Sequence, residues 1–86
     1  MNRDTLVEAV AGKTAETGAG LAPDEVGRVI DALFGTVERP GAIAEGLRHG
    51  ETVTVIGFGA FHLDDGSRPA LRPGQALSEF VNGTVR

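Results

Sequence analysis

The spacing of apolar residues between 52 and 65 constrains the fold most. The stretch "TVTVIGFGAFHLDD" alternates apolar residues with small or polar ones on both sides of a Gly-Phe-Gly triplet. A period of two is typical of strands with one buried face, and glycines on both sides of Phe58 allow the backbone a tight reversal. We therefore expect an antiparallel hairpin with strands over about 52–56 and 60–64.

The residues after this hairpin predict a further turn, a short strand and a helix. Asp65-Gly66 is a turn signal, and a third strand over about 68–71 is expected to lie at an edge, because its prolines cannot donate to a sheet ladder. The stretch "PGQALSEFVNG" then has helical spacing. It predicts a last helix over about 74–82.

The first half of the chain has the helical period instead. A helix over about 3–14 follows a capping asparagine. A second helix, over about 23–39, begins at a proline suited to a first turn, and its apolar residues recur every three or four positions up to Val37. A short third helix is expected over 42–48. Helices followed by a small antiparallel sheet predict an α+β fold.

The length of 86 residues limits the chain to one domain, which we place over 1–86. So short a chain buries little surface, and association of two copies is a plausible source of additional core. The sequence has no cysteine, and His49 and His62 lack partners at metal-ligand spacing. No nucleophile–base pair or phosphate-binding loop motif is present. We therefore expect no metal, no cofactor and no enzymatic activity.

The net charge of −4 is unevenly distributed, because the excess acid lies in residues 1–51. Such a balance argues against a polyanionic partner, since phosphate neutralisation dominates nucleic-acid affinity. No apolar run approaches the length of a membrane span, and acidic residues interrupt the N-terminus where a signal peptide would be apolar. These features predict a cytoplasmic protein with no membrane partner.

Four stretches nevertheless resemble one family. "MNRDTLVEAVA", "VIDALFGTV", "GETVTVIGFGAFHL" and "RPALRPGQALSEFVN" are together similar to the HU/integration host factor family of bacterial histone-like proteins that shape DNA. The resemblance implies an intertwined homodimer with a helical base and a sheet that forms a saddle. In that family two long β-ribbon arms wrap the minor groove and wedge a proline between base steps. Here only "DDGSR" follows Leu63, so we expect the arm and its wedge to be missing.

The resemblance also implies which residues contact phosphate. They lie at two helix starts and at the Gly-Phe-Gly reversal: Asn2, Arg3, Gly57, Phe58, Gly59, Gly74, Gln75 and Ala76. We add Arg68 and Arg72, which lie near the same place in the expected fold and supply positive charge. Backbone N–H groups at a helix start form an anion site whatever the side chains are. Gln75 departs from the family, which usually has a basic residue at this position.

Two functions are compatible with the sequence, and we expect the first of them. One is a nucleoid-associated homodimer that binds double-stranded DNA weakly, without sequence preference and with little or no bending. The alternative is a structural or protein-interaction module with the HU fold that has lost DNA binding and pairs with another HU-like protein. The missing arm, Gln75 and the net charge of −4 favour the second, while the resemblance favours the first.

Overall fold

The computed structural model describes residues 1–83. Within it the chain forms two compact units, the first spanning Met1–Ala42 and the second beginning at Ile43. A single domain over 1–86 remains a prediction. The elements are α1 (Arg3–Glu16), α2 (Pro23–Phe34), α3 (Ala42–Arg48), β1 (Val53–Val55), β2 (Gly59–Asp64), β3 (Arg68–Pro73) and α4 (Gln75–Val81).

A reciprocal cap fixes the start of α1. The side-chain oxygen of Asn2 accepts a hydrogen bond from the Thr5 N–H at 2.9 Å, and the Thr5 hydroxyl accepts one from the Asn2 N–H at 2.8 Å. Both bonds occupy donors that a helix start otherwise leaves free. A cap of this kind stabilises a helix by about 1 kcal/mol.

The core of the first unit is small and lies between α1 and α2. Val7 of α1 packs against Val26 and Ile30 of α2, and Val26 is only 1% exposed. Partly buried side chains of α1 extend this cluster: Leu6, Val10 and Ala11. The apolar spacing that predicts the two helices thus also produces the contact between them.

The predicted extent of the second helix is wrong, because α2 ends at Phe34 and not near 39. Gly35 leaves the helix with a φ of +84° while its N–H still bonds the Asp31 carbonyl. The chain then reverses: the Thr36 N–H bonds the Arg39 carbonyl at 2.8 Å, and Gly35 forms an isolated bridge with Pro40. Val37, which extends the helical period in the sequence, is fully exposed in this loop.

Two glycines make this reversal possible. Gly35 has the left-handed φ that side-chain-bearing residues rarely adopt. Gly41 is buried against the end of α2, and a Cβ built there would lie 2.6 Å from the Phe34 carbonyl carbon. The loop therefore closes only because neither position carries a side chain.

The second unit contains a three-stranded antiparallel sheet in the order β1-β2-β3. Val55 lies opposite Gly59 at one end of β2, and Asp64 lies opposite Arg68 at the other. The turn between β2 and β3 has positive φ at Asp65 and Gly66, which is the backbone that an Asp-Gly pair favours. β3 begins where the sequence predicts and continues to Pro73, because its last residues pair with the start of β2.

The close packing of Gly41 gives a stability prediction. Gly41→Ala is expected to lower the free energy of unfolding by about 1–3 kcal/mol, because the new methyl group overlaps backbone atoms that cannot move independently. Urea denaturation would measure the change. The control is Gly12→Ala in α1, where a Cβ meets nothing within 4 Å and the expected change is a stabilisation of about 0.5–1 kcal/mol. Equal effects of the two substitutions would contradict the packing described for the loop.

Candidate nucleic-acid interface

One face of the sheet is polar and carries both arginines of β3. The strand pairing places Arg72 opposite Ala60 and Arg68 opposite Asp64. Side chains opposite each other in an antiparallel pair lie on the same face, and every second residue along a strand shares it. We call this set the polar face: Thr54, Ala60, His62, Asp64, Arg68, Ala70 and Arg72.

The two arginines of the polar face are available to a ligand. Both side chains are exposed, and neither forms an ion pair with any residue in the described part of the chain. The carboxylate on this face, that of Asp64, contacts a histidine instead: Asp64 Oδ1 lies 3.5 Å from His62 Nδ1. Asp64 is thus drawn towards the histidine on its own strand, while Arg68 opposite it stays unpaired.

The opposite face of the sheet is apolar. Phe61 and Leu63 of β2 lie on it, and Phe61 is directly opposite Leu71 of β3. Phe58, in the reversal before β2, stacks on Phe61 with ring centroids 6.4 Å apart. Its ring therefore supports the apolar face of the sheet.

The Gly-Phe-Gly reversal and the start of α4 are joined by backbone hydrogen bonds. The Gly74 N–H donates to the Phe58 carbonyl at 2.8 Å, and the Leu77 N–H donates to the Gly57 carbonyl at 3.2 Å. Within residues 1–83 the N–H groups of Gln75 and Ala76 have no acceptor. Two orphan donors therefore lie beside the reversal.

Close backbone approach explains the glycine that begins β2. A Cβ at Gly59 would lie 2.6 Å from the Arg72 carbonyl oxygen, so any side chain there would push β3 away.

A concavity of about 390 Å³ lies at this end of the sheet. Its lining includes Thr54, Ile56, Gly57, Gly59, Arg72 and Gly74.

The structure thus brings together seven of the ten site residues predicted from the sequence: Gly57, Phe58, Gly59, Arg72, Gly74, Gln75 and Ala76. Arg68 lies on the same polar face but four residues along β3, about 13 Å away at strand spacing. The Gln75 side chain donates to Glu79 Oε2 at 2.8 Å, so Gln75 offers a ligand its backbone and not its amide.

The remaining two predicted residues, Asn2 and Arg3, lie in the first unit and already have partners. Asn2 caps α1. The Arg3 guanidinium donates two hydrogen bonds to the Asp31 carboxylate, from Nε at 2.8 Å and from Nη2 at 3.0 Å. Its Nη1 lies 3.3 Å from Asp4 Oδ1. The hydrogen bonds to Asp31 raise the pKa of Arg3 above its ordinary value, and the bond from Arg3 lowers the pKa of Asp31. Sequence reasoning missed Asp31, because no local spacing relates positions 28 residues apart.

The described residues contain neither a candidate metal site nor a candidate membrane-spanning helix. Between residues 1 and 83, no three His, Asp or Glu side chains are placed so that they could hold a metal ion. None of the helices in that part of the chain has the length and apolar character needed to span a bilayer.

Comparison with known proteins identifies the family of this chain. The sequence pattern of the family described as "Bacterial DNA-binding protein" matches residues 1–72. The chain belongs to this family, that of the HU and integration host factor proteins, which are histone-like, nucleoid-associated DNA-binding proteins and not enzymes. The resemblance seen in the sequence is confirmed.

Individual relatives agree with this assignment. DNA-binding protein HU of Xylella fastidiosa (strain 9a5c) is 38% identical over 100 aligned positions, which cover 94% of this chain and 95% of the relative. DNA-binding protein HU of Geobacillus stearothermophilus is 31% identical, with 94% and 99% covered. The solved structure of HU from Thermotoga maritima matches with a TM-score of 0.71 at 32% identity, covering 94% of this chain and 98% of that one. The predicted α+β HU-like fold is confirmed.

The pair of Arg3 and Asp31 gives a prediction about pH. Because Asp31 has a lower pKa in the folded chain than its ordinary value of 3.8, its contribution to stability is present above about pH 4 and is lost on further acidification. Asp31→Asn should therefore flatten the fall of the melting temperature between pH 5 and pH 2.5, and thermal denaturation at stepped pH would measure this. The control is Asp24→Asn, which removes an exposed carboxylate 3.8 Å from Arg28. An unchanged acid slope in Asp31→Asn would contradict the pair.

Proposed function

We propose that the chain binds the phosphate backbone of double-stranded DNA, without reading base sequence, through the polar face, the reversal at 57–59 and the start of α4. The observation that carries this proposal is that the two arginines of β3 are exposed and have no ion-pair partner within residues 1–83, and that Arg72 is close in sequence to the orphan N–H groups of α4. Arg72 and Gly74 line the concavity at this end of the sheet, and the orphan N–H groups of Gln75 and Ala76 follow Gly74 directly in the chain. A guanidinium and unpaired backbone donors are both groups that suit an oxyanion.

The available charge limits the affinity of this surface. Each arginine that neutralises a phosphate releases a counterion, so affinity grows with the number of such contacts and falls with salt. The polar face has two arginines but also Asp64, and the whole chain has a net charge of −4. We therefore propose weak binding that is confined to low salt. Arg3 belongs to the proposed contacts, although phosphate must compete there with Asp31.

We further propose that the chain lacks the long arm by which relatives wrap DNA. The turn between β2 and β3 is closed by a bond from the Ser67 N–H to the Asp64 carbonyl, so the strands end at Asp64 and Arg68. The alignment with the Xylella fastidiosa HU runs over 100 positions, more than the 86 residues of this chain. An HU-like saddle with no ribbon and no wedging proline would bend DNA little or not at all.

Apolar exposure supports a homodimer as the binding form. Phe34 of α2 is 56% exposed, Ile56 is 96% exposed and Phe80 of α4 is 77% exposed. On α2 the exposure is contiguous, because Val29 (53% exposed) and Leu33 (42% exposed) lie one helical turn apart. A contiguous exposed apolar surface, unlike single exposed residues, marks a surface that a partner covers. We propose that a second copy covers them and that the dimer acts on DNA in the cytoplasm, at the nucleoid.

A second candidate function is an interaction module that pairs with another HU-like protein and does not bind DNA. The observations that favour it are the acidic net charge and the position of Asp64 opposite Arg68 at the end of the sheet. An HU-like partner with basic arms would supply the phosphate-binding groups that this chain lacks.

The proposed interface predicts the effect of removing one charge. Arg72→Gln should weaken binding of a short duplex about three- to tenfold at low salt, and it should reduce the salt slope by about one for each phosphate that is no longer neutralised. Fluorescence anisotropy at several salt concentrations would measure both. The matched control is Arg48→Gln at the end of α3, outside the polar face and exposed. Arg3→Gln should weaken binding less than Arg72→Gln, because Arg3 is already bonded to Asp31.

Absence of duplex binding at low salt, from a chain that still associates, would contradict the DNA proposal and favour the interaction module. An effect of Arg48→Gln as large as that of Arg72→Gln would remove the polar face from the interface.

Association predicts a melting temperature that depends on protein concentration. Since binding of a second copy stabilises only the folded state, hundredfold dilution should lower the melting temperature by several degrees. Differential scanning fluorimetry combined with light scattering would test this. A melt independent of concentration at the mass of one chain would contradict the homodimer.

A further inference from the structure

We propose that the first unit contains a separate binding site for a phosphate group, in the pocket between the second half of α2 and the loop that follows it. This pocket has a volume of about 450 Å³ and is lined by Arg28, Asp31, Ala32, Thr36, Arg39 and Pro40. The proposal goes beyond the function proposed above and does not depend on it, because no lining residue belongs to the sheet or to α4.

The charge of the pocket favours an anion. Arg39 forms no ion pair with any residue from 1 to 83, and within the same range Arg28 forms only a loose, exposed one at 3.8 Å. The one carboxylate in the lining, Asp31, is already compensated by Arg3. One guanidinium group at this concavity, that of Arg39, is therefore unpaired among the described residues, and a second, that of Arg28, has only this exposed partner, although the chain as a whole is acidic.

The loop adds a neutral donor to the pocket. The hydroxyl oxygen of Thr36 accepts hydrogen bonds from the N–H groups of Glu38 and Arg39, at 3.3 and 3.2 Å. A hydroxyl that accepts through its oxygen keeps its own proton to donate. Thr36 can thus add an O–H···O bond to whatever the arginines hold.

The backbone of the loop that lines the pocket is held by hydrogen bonds within the first unit. The N–H of Gly35 is bonded to the Asp31 carbonyl and that of Thr36 to the Arg39 carbonyl, each at 2.8 Å. The bridge between Gly35 and Pro40 and the close packing of Gly41 hold the loop against α2. A preorganised loop reduces the entropy that binding must overcome.

These donors match phosphate chemistry. Guanidinium groups suit the oxygens of phosphate, and charge-assisted bonds to them are the strong ones. Three donors around one concavity fit a tetrahedral oxyanion, and the volume lies within the range of small-molecule sites. The phosphate could come from a small phosphorylated molecule or from a DNA backbone, and the experiment separates these two sources.

The test is a titration followed by the backbone amide resonances of Thr36 and Arg39, at constant ionic strength. Inorganic phosphate should shift both resonances saturably. Arg39→Gln and, separately, Arg28→Gln should weaken this binding at least about tenfold. Arg48→Gln, an exposed arginine outside the pocket, should leave it unchanged. The side chain of Arg39 makes no hydrogen bond with residues 1–83, so its removal should not disturb the loop.

A second arm uses a short DNA duplex with the Arg72→Gln chain, in which the polar face is weakened. Shifts of Thr36 and Arg39 with inorganic phosphate assign a small phosphorylated ligand. Shifts with the duplex alone, abolished in Arg39→Gln, assign a DNA phosphate. No shift with either probe, or equal shifts in Arg39→Gln, would overturn the pocket. Failure of duplex binding at the polar face leaves the inorganic phosphate result decisive.

Discussion

The register of the antiparallel sheet is the constraint on which the candidate interface depends. Because side chains alternate between faces, a slip of one residue in the pairing of β2 with β3 would move both arginines to the apolar face. Two turns prevent such a slip. The reversal at 57–59 fixes one end of β2 through close contact between Gly59 and Arg72, and the Asp-Gly turn fixes the other.

The distribution of charge matters more here than its sum. Arg3 is held by two carboxylates in the first unit, whereas Arg68 and Arg72 are unpaired among the described residues. A chain can therefore be acidic overall and still present cations on one selected surface. The same reasoning applies to Arg39, which shares a pocket with Asp31. The Asp31 carboxylate is already bonded to Arg3, so it does not neutralise Arg39.

Much of this architecture could be predicted from the sequence where the signal is local. The period of two and the Asp-Gly pair indicated the hairpins, and the capping asparagine indicated the start of α1. The end of α2 was predicted wrongly because two local signals conflict: Val37 continues the apolar period, whereas Gly35 and the hydroxyl of Thr36 favour a turn. The bond of Arg3 to Asp31 was inaccessible, since it depends on how two helices pack and not on the residues next to either one.

The prolines of β3 have a consequence for the edge of the sheet. Pro69 and Pro73 are tolerated because their missing N–H groups point outwards, away from β2. Because orientation repeats every second residue along a strand, the backbone N–H of Leu71 also points outwards. Among positions 69, 71 and 73, only Leu71 therefore has an N–H that another strand could bond. A strand with so few donors is a poor template for another extended chain, and it thereby protects the protein from open-ended, fibril-like growth along this edge.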